Sequence, residues 1–235
     1  MKINRDMVTR AGLKVLNAEG LEQLTLRRLA IELNVQAATI YWHFKSKEEL
    51  LDEMATTVLA QGATNLTPAR KSSDWKVWAS TFGHGLRKTL LAYRDGGRMV
   101  AGTRLTDTNY LKTTERIGTQ MLAAGFSVRA AVVLFSTIYN YTLTFVMEEQ
   151  AVFPTPGRRS PRYSIEQRNA RLDPTVFPFL RRTSSILFDH YDRRFREGLE
   201  LILQGAKPSL PPRRTPPTAK PAKPERPPAP IIAAT

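Results

Sequence analysis

Apolar residues up to Gly205 recur at three- and four-residue spacing, and no stretch alternates in the manner of a strand. The chain is therefore expected to be all-α. A first helix runs from about Arg5 to Asn17. In the next, Leu26, Leu29, Ala30 and Leu33 share one face, and Arg27, Arg28 and Glu32 share the other. The Thr25 hydroxyl stands where it can accept a bond from a first-turn N–H. Asn34 tolerates the left-handed conformation that ends a helix, and Val35 fills the joint. A short helix from about Ala37 to Phe44 turns Ile40 and Phe44 inward, since they lie four residues apart. Ser46, Glu49 and the Leu50-Leu51 pair form a capping box that starts a connecting helix reaching about residue 63.

Two short amphipathic helices with a tight joint make a helix-turn-helix, whose second helix enters the major groove of double-stranded DNA. The candidate DNA-facing residues are Thr25, Arg27, Arg28, Gln36, Ala37, Thr39, Tyr41, Trp42, His43 and Lys47. Lys47 lies in the first turn of the connecting helix, where backbone N–H groups suit a phosphate. Tyr41, Trp42 and Phe44 can equally be core aromatics. Phe44 is assigned to the core and the Tyr41 phenol to a phosphate. Arg28 is assigned to solvent or phosphate rather than to a base. His43 has no second ligand nearby and is not taken as a metal ligand.

Beyond the connecting helix, Ser73-Asp74 can cap a helix that carries Trp75, Trp78, Phe82, Leu86 and Leu90 on one stripe. Asp95-Gly96-Gly97 ends it. Asp107 is placed to cap a helix over about 108–124, with Gly125 as its stop. Ser127 starts a long helix to about Gln150 that is apolar over too wide an arc for one packing face. It is expected to bury two faces, one in its own core and one against a second copy of the chain. Residues 151–173 hold prolines and arginines and are expected to form an exposed loop. A short helix follows over 174–188, and a last one over Phe188–Gly205 carries Phe195, Leu199, Ile202 and Leu203 on its stripe. From Pro208 onward, ten prolines in 28 residues leave a tail that cannot form a core. The expected domains are residues 1–46, 47–207 (with the connecting helix at 47–64) and the tail 208–235.

The 235 residues suffice for a helical core and a small head. Without cysteine there is no disulfide framework, thiolate metal site or cysteine nucleophile, which fits a reducing cytosol. No stretch reads as a span of about 20 apolar residues or as a signal sequence, so a cytoplasmic protein with no membrane partner is expected. The net charge of +14 favours polyanions. Yet residues 1–50 hold eight Lys/Arg against six Asp/Glu, while residues 158–182 hold seven Arg against two acids. The motif, not the bulk charge, therefore carries the inference of DNA binding. Three scattered histidines (His43, His84, His190) with no nucleophile–base pairing argue against an enzyme built on His84 or Glu148.

Gly20-Leu21, Leu24-Thr25, Arg27, Leu29-Ala30, Leu33, Val35, Thr39, Tyr41-Trp42-His43, Lys45, Lys47 and Leu50-Leu51-Asp52 resemble the DNA-binding domain of the TetR family of regulators. Further on, Tyr93-Arg94-Asp95-Gly96-Gly97, Gly102-Thr103-Arg104, Gly125-Phe126-Ser127, Thr142-Leu143, Glu148-Glu149-Gln150 and Gly198-Leu199-Glu200 are similar, in order and spacing, to the tetracycline-repressor branch of that family. The resemblance spans about residues 3–206. It implies a three-helix head and a helical ligand-binding and dimerisation domain. It also implies a homodimer joined as a four-helix bundle through the long and last helices, and a small-molecule inducer that relieves repression of an operator. The competing reading is a ligand-independent architectural DNA-binding protein.

The same resemblance places Phe82, Leu86, Val100, Thr103, Arg104, Arg116, Ile117, Phe135, Tyr139 and Glu148 around the ligand. Two departures stand out. Ala37 and Ala38 replace a glutamine and a proline at the start of the recognition helix, so the operator is expected to differ. Val100 replaces a histidine that holds the drug's magnesium in the branch, while Glu148 keeps a carboxylate. One carboxylate is a poor site for a hard cation. No metal or cofactor is therefore expected, and the inducer should be bulky and largely hydrophobic. Thr103, Arg104 and Glu148 either orient its polar end or serve as internal pairs and caps.

Overall fold

The computed structural model describes residues 3–70, 72–105 and 108–208. The cap assigned to Asp107 and the tail beyond Pro208 lie outside them. Eleven α-helices are described: α1 (Arg5–Glu19), α2 (Leu26–Glu32), α3 (Ala37–His43), α4 (Lys47–Gln61), α5 (Trp75–Leu91), α6 (Gly96–Val100), α7 (Thr108–Ala123), α8 (Val128–Val152), α9 (Ile165–Ala170), α10 (Pro178–Phe188) and α11 (Tyr191–Gly205). Among the described residues there is no strand, only an isolated bridge between Thr155 and Arg158.

The head, α1 to α3, closes over Val8, Leu16, Leu29, Ile40 and Phe44, all fully buried. Its breaks are set locally. The Arg28 amide donates to the Thr25 hydroxyl (3.0 Å) at the start of α2, and Asn34 takes φ 51° at its end, the conformation a short polar side chain tolerates. At the start of α4 the Glu49 amide donates to the Ser46 hydroxyl (3.2 Å). The Glu49 carboxylate, however, accepts from the Lys45 amide (2.8 Å), one residue earlier than the usual reciprocal partner. Leu50, Met54, Ala55, Val58 and Leu59 of α4 are buried, and they carry the head's core without a break into that of the body.

In the body α5 lies against α8, and α8 also contacts α6, α7 and α11. Asp74 starts α5 by accepting from the Lys76 amide (2.9 Å). Trp78, Phe82, Leu86 and Leu90 form its buried stripe. Trp75 lies only partly inside, edge-on to Phe126. The inward face of α8 carries Ala131, Leu134, Ile138, Thr142 and Val146, while Val128, Val132 and Val133 face outward.

Four expectations need correction. By length and composition α8 does suffice to cross a membrane, although its inward face is spent on neighbouring helices. Asp95-Gly96-Gly97 does more than end a helix; it opens α6. The segment 151–173 is exposed but not structureless. Ser164 starts α9 by accepting from the Gln167 amide (3.2 Å), and Arg168 donates to the Leu180 carbonyl of α10 (2.9 Å). Finally, α11 begins at Tyr191, because His190 takes φ 55° and breaks the run at Phe188.

The close crossing of α5 with the 3-10 turn Ala63–Leu66 requires a glycine. A Cβ at Gly85 would overlap the Asn65 carbonyl oxygen, a backbone atom that cannot rotate away. Gly85→Ala is expected to destabilise the fold by about 1–3 kcal/mol, read as a lowered urea midpoint. An unchanged midpoint would contradict this packing.

Candidate DNA-reading face and ligand core

The outer face of α3 is aromatic. Trp42 is 74 % exposed and Tyr41 43 %, with the Trp42 ring edge-on to His43 at 4.8 Å. Ile40 and the following Phe44 point the other way and are fully buried, so helical periodicity alone forces Tyr41 and Trp42 outward. Gln36 and Arg27 are also exposed, while Ala37, Thr39 and His43 are half-buried.

What fixes α3 is a cation that sequence pattern does not reveal. Arg5, in the first turn of α1, donates to the His43 carbonyl (2.5 Å) and to Glu49 (2.8 Å), and its guanidinium lies 4.2 Å from the Phe44 ring centre. A positive charge is thereby placed at the negative end of α3. The Lys45 ammonium adds a bond to the Tyr41 carbonyl (3.1 Å).

Three of the candidate DNA-facing residues also make contacts inside the head. The Thr25 hydroxyl oxygen caps α2. Arg28 holds Glu19 with paired bonds (3.0 and 2.5 Å) and Glu32 at 3.1 Å, tying α2 to the end of α1. Lys47 donates to the Leu21 carbonyl (2.8 Å) and so ties the first turn of α4 to the α1–α2 loop.

The head meets the body at the turn between α5 and α6. The Leu21 amide donates to the Asp95 carboxylate (2.9 Å). The Arg94 amide donates to Asn17 (3.0 Å) and its guanidinium to the Ala18 carbonyl (2.9 Å). Arg98 pairs with Glu22 at 2.5 Å. The same turn is gripped from the body by Gln150 of α8, which accepts from the Gly97 amide (3.1 Å) and donates to the Tyr93 carbonyl (2.7 Å).

The candidate ligand residues divide into two groups. Phe82, Leu86, Val100 and Ile117 are buried, and Phe135 and Tyr139 pack on the same cluster, Phe82 edge-on to Phe135 at 5.0 Å. Thr103 stands nearby with its hydroxyl donated to the Val100 carbonyl (2.7 Å). Tyr110, not anticipated, is buried beside this group, and burial, then Tyr139, raises its phenol pKa; burial raises that of Tyr139 as well. Both phenols thus stay neutral donors inside an apolar core. The second group lies outside. Arg104 is 91 % exposed and sits 3.6 Å from Asp52 of α4, to which its amide also donates (2.7 Å). Arg116 lies on the surface with its guanidinium 5.3 Å from the Trp78 ring centre, and Glu148 is exposed on α8. The neighbouring Glu149 is the engaged carboxylate, paired with the nearly buried Arg87 at 2.8 Å.

Comparison with known proteins bears on this arrangement. Residues 8–54 match the family described as bacterial regulatory proteins, tetR family, and residues 67–210 match the tetracyclin repressor-like C-terminal domain. The chain belongs to the TetR family. It is 37 % identical to the class A tetracycline repressor from transposon 1721 of Escherichia coli, over 87 % of this chain and 90 % of that one. A possible TetR family regulator from Streptomyces coelicolor superposes with a TM-score of 0.75 at 32 % identity, over 86 % of this chain and 98 % of that one. The ActR protein of Streptomyces coelicolor, solved with actinorhodin, gives 0.71 at 27 % identity, over 87 % and 95 %. As a TetR-family member the chain is a ligand-responsive, DNA-binding transcriptional repressor and not an enzyme.

The magnesium of the tetracycline-repressor branch does not fit the residues present in this TetR-family chain. Val100 offers no ligand atom, and no three His, Asp or Glu side chains converge among the described residues. A hard cation needs six or so oxygen ligands.

The Glu49 carboxyl is held below the usual carboxylate range, first by the Lys45 amide and then by Arg5. A depressed folded-state pKa means stability that is present above the unfolded value, about 4.3, and lost as pH falls through the folded one. The stability gap between the native chain and Glu49→Gln should therefore be widest near neutral pH and close in acid below about pH 4. Denaturant titration across pH checks this; a gap that widens in acid would contradict it.

Proposed function

We propose that the protein binds a pseudo-palindromic operator as a homodimer through the Tyr41–Trp42 face of α3, and leaves it when a bulky, largely hydrophobic inducer enters the core around Phe82, Val100 and Phe135. Arg27, Gln36, Thr39 and His43 flank the aromatic pair in contacting DNA. In this reading the protein acts in the cytoplasm on recognition helices roughly 34–36 Å apart, one turn of DNA. The exposed Val128, Val132 and Val133 of α8, with Leu201 of α11, support a second copy on that side, since apolar surface of this kind marks contact sites.

The observation that carries the proposal is the placement of α6. Its first turn is tied to the head through Asp95 and Arg98, and its last residues, Met99 and Val100, are fully or almost fully buried in the core. A ligand that displaces Val100 moves a five-residue helix whose other end holds the α1–α2 loop. A second route runs from Thr103 through Arg104 and Asp52 into α4, and from Glu49 to Arg5 and α3. A ligand acts through these only by binding the released arrangement more tightly than the DNA-bound one.

The inducer class rests on chemistry. Buried aromatics and aliphatics, with the Tyr110 and Tyr139 phenols as polar handles, suit an organic ring system. The actinorhodin complex of a relative supports a small-molecule ligand for this chain as well.

Trp42→Ala is expected to leave fold stability within about 0.5 kcal/mol of the parent and to weaken operator binding at least tenfold in a fluorescence-anisotropy titration. Phe44→Ala should instead cost about 3–5 kcal/mol of stability. Operator affinity unchanged by Trp42→Ala would remove α3 as the reading helix. Tetracycline with magnesium should leave the operator complex intact; release by that mixture would contradict the inducer assignment.

A further inference from the structure

A cleft of about 1120 Å³ opens where the head meets the body, and shares no residue with the apolar ligand core. Its walls come from the end of α1, the turn after α5, the end of α8, the Pro154–Gly157 loop and the start of α11. Its charges are not balanced. The three carboxylates along it are already committed. Glu149 holds Arg87 through two bonds (3.0 and 2.8 Å), Asp192 holds the same guanidinium (2.7 Å), and Asp189 pairs with Arg159. Of the three arginines, Arg193 is paired with Glu197 at 2.8 Å. Among the described residues the Arg94 guanidinium donates to a backbone carbonyl, that of Ala18, and neither Arg94 nor Arg196 is in an ion pair. Two cationic forks therefore line the cleft without a carboxylate of their own. The same lining holds aromatic rings, Phe153 edge-on to Tyr191 at 5.9 Å and Tyr93.

We propose that this cleft is a second ligand site, distinct from the apolar core, and that it takes an aromatic carboxylate of two or three fused rings. The guanidinium forks match a carboxylate in geometry as well as charge, and the rings supply the flat apolar contact. The cleft also has a direct line to the head. The Arg94 guanidinium that would receive the anion is one of the groups by which the body holds the end of α1. A bound carboxylate competes with the Ala18 carbonyl for it and loosens the α1–α2 loop. The binding is independent of the inducer assigned to the core; the regulatory consequence rests on α3 being the DNA-reading helix.

The test titrates 2-naphthoate into the full chain by calorimetry at fixed ionic strength, with naphthalene-2-methanol as the neutral counterpart. One naphthoate per chain is expected, with the alcohol binding at least about tenfold more weakly, since charge-assisted bonds are worth that much. Arg94→Gln and Arg196→Gln should each weaken naphthoate about tenfold; both side chains are exposed, so the variants are expected to fold, which circular dichroism checks. Arg171→Gln, outside the cleft, should change nothing. Naphthoate should also speed hydrogen exchange at the Leu21 amide. No binding at millimolar naphthoate, equal binding of the alcohol, indifference to both cleft variants, or an equal loss in Arg171→Gln would each overturn the site. Binding without faster Leu21 exchange would overturn the loosening of the head. Operator binding in the absence of naphthoate does not enter, so failure here is separable from failure of the DNA-reading assignment.

Discussion

The arrangement of this molecule depends on one carboxylate, that of Asp95, bonded to the backbone amide of Leu21 across the junction of head and body. Asp95 reaches it from a left-handed conformation, φ 53°, that costs an L residue about 1–2 kcal/mol. The strain persists because the surroundings leave no alternative. A Cβ on Gly96 would overlap the Leu90 carbonyl, so the chain behind Asp95 is locked against α5. On the facing side Gly20 takes φ 89°, and a Cβ there would meet both Arg94 and Asp95 at 3.1 Å. Two loops from different domains therefore interlock through glycine on both sides. The lock ties the start of α6 to the α1–α2 loop of the head.

The ion pairs around this lock have unequal weights. Arg98–Glu22 and Arg104–Asp52 have exposed partners, and pairs of that kind contribute little alone; their value is in register rather than stability. Arg87 differs. It is nearly buried, shared between Glu149 and Asp192, and lies over the Phe145 and Phe195 rings. Removing one partner of such a pair strands a charge in low dielectric, which is strongly destabilising. Arg87 thus makes α5, α8 and α11 one unit, on whose edge Gln150 grips the 93–97 turn.

Local physics was legible in the sequence where it is truly local. Thr25, Ser46, Asp74 and Ser127 cap the helices that their spacing announces, and Ile40 and Phe44 face inward because they are four residues apart. Long-range commitments were not legible. Arg5 finds its partners 38 and 44 residues away, and Lys47 reaches back 26 residues to a carbonyl; no periodicity encodes such pairs. For the same reason the pattern does not show that Arg28 pairs with Glu19 and Glu32, or that one N–H of the Lys47 ammonium goes to the Leu21 carbonyl. The helix α6 was hidden because Asp-Gly-Gly reads as a stop, and only its tertiary contacts turn the stop into a start. Of the residues that the family resemblance places around a ligand, the apolar ones gather in one buried cluster. Arg104, Arg116 and Glu148 stay outside, because taking a charge out of water is costly.

In the proposed function the bond from Leu21 to Asp95 carries the state of the body to the head. Asp95→Gly tests it most directly, since glycine keeps the positive φ without strain and removes only the carboxylate. Hydrogen exchange at the Leu21 amide, measured beside operator affinity on the same sample, should rise sharply while affinity shifts at least several-fold and the α3 amides keep their protection. Unchanged Leu21 exchange together with unchanged operator affinity would rule out this coupling.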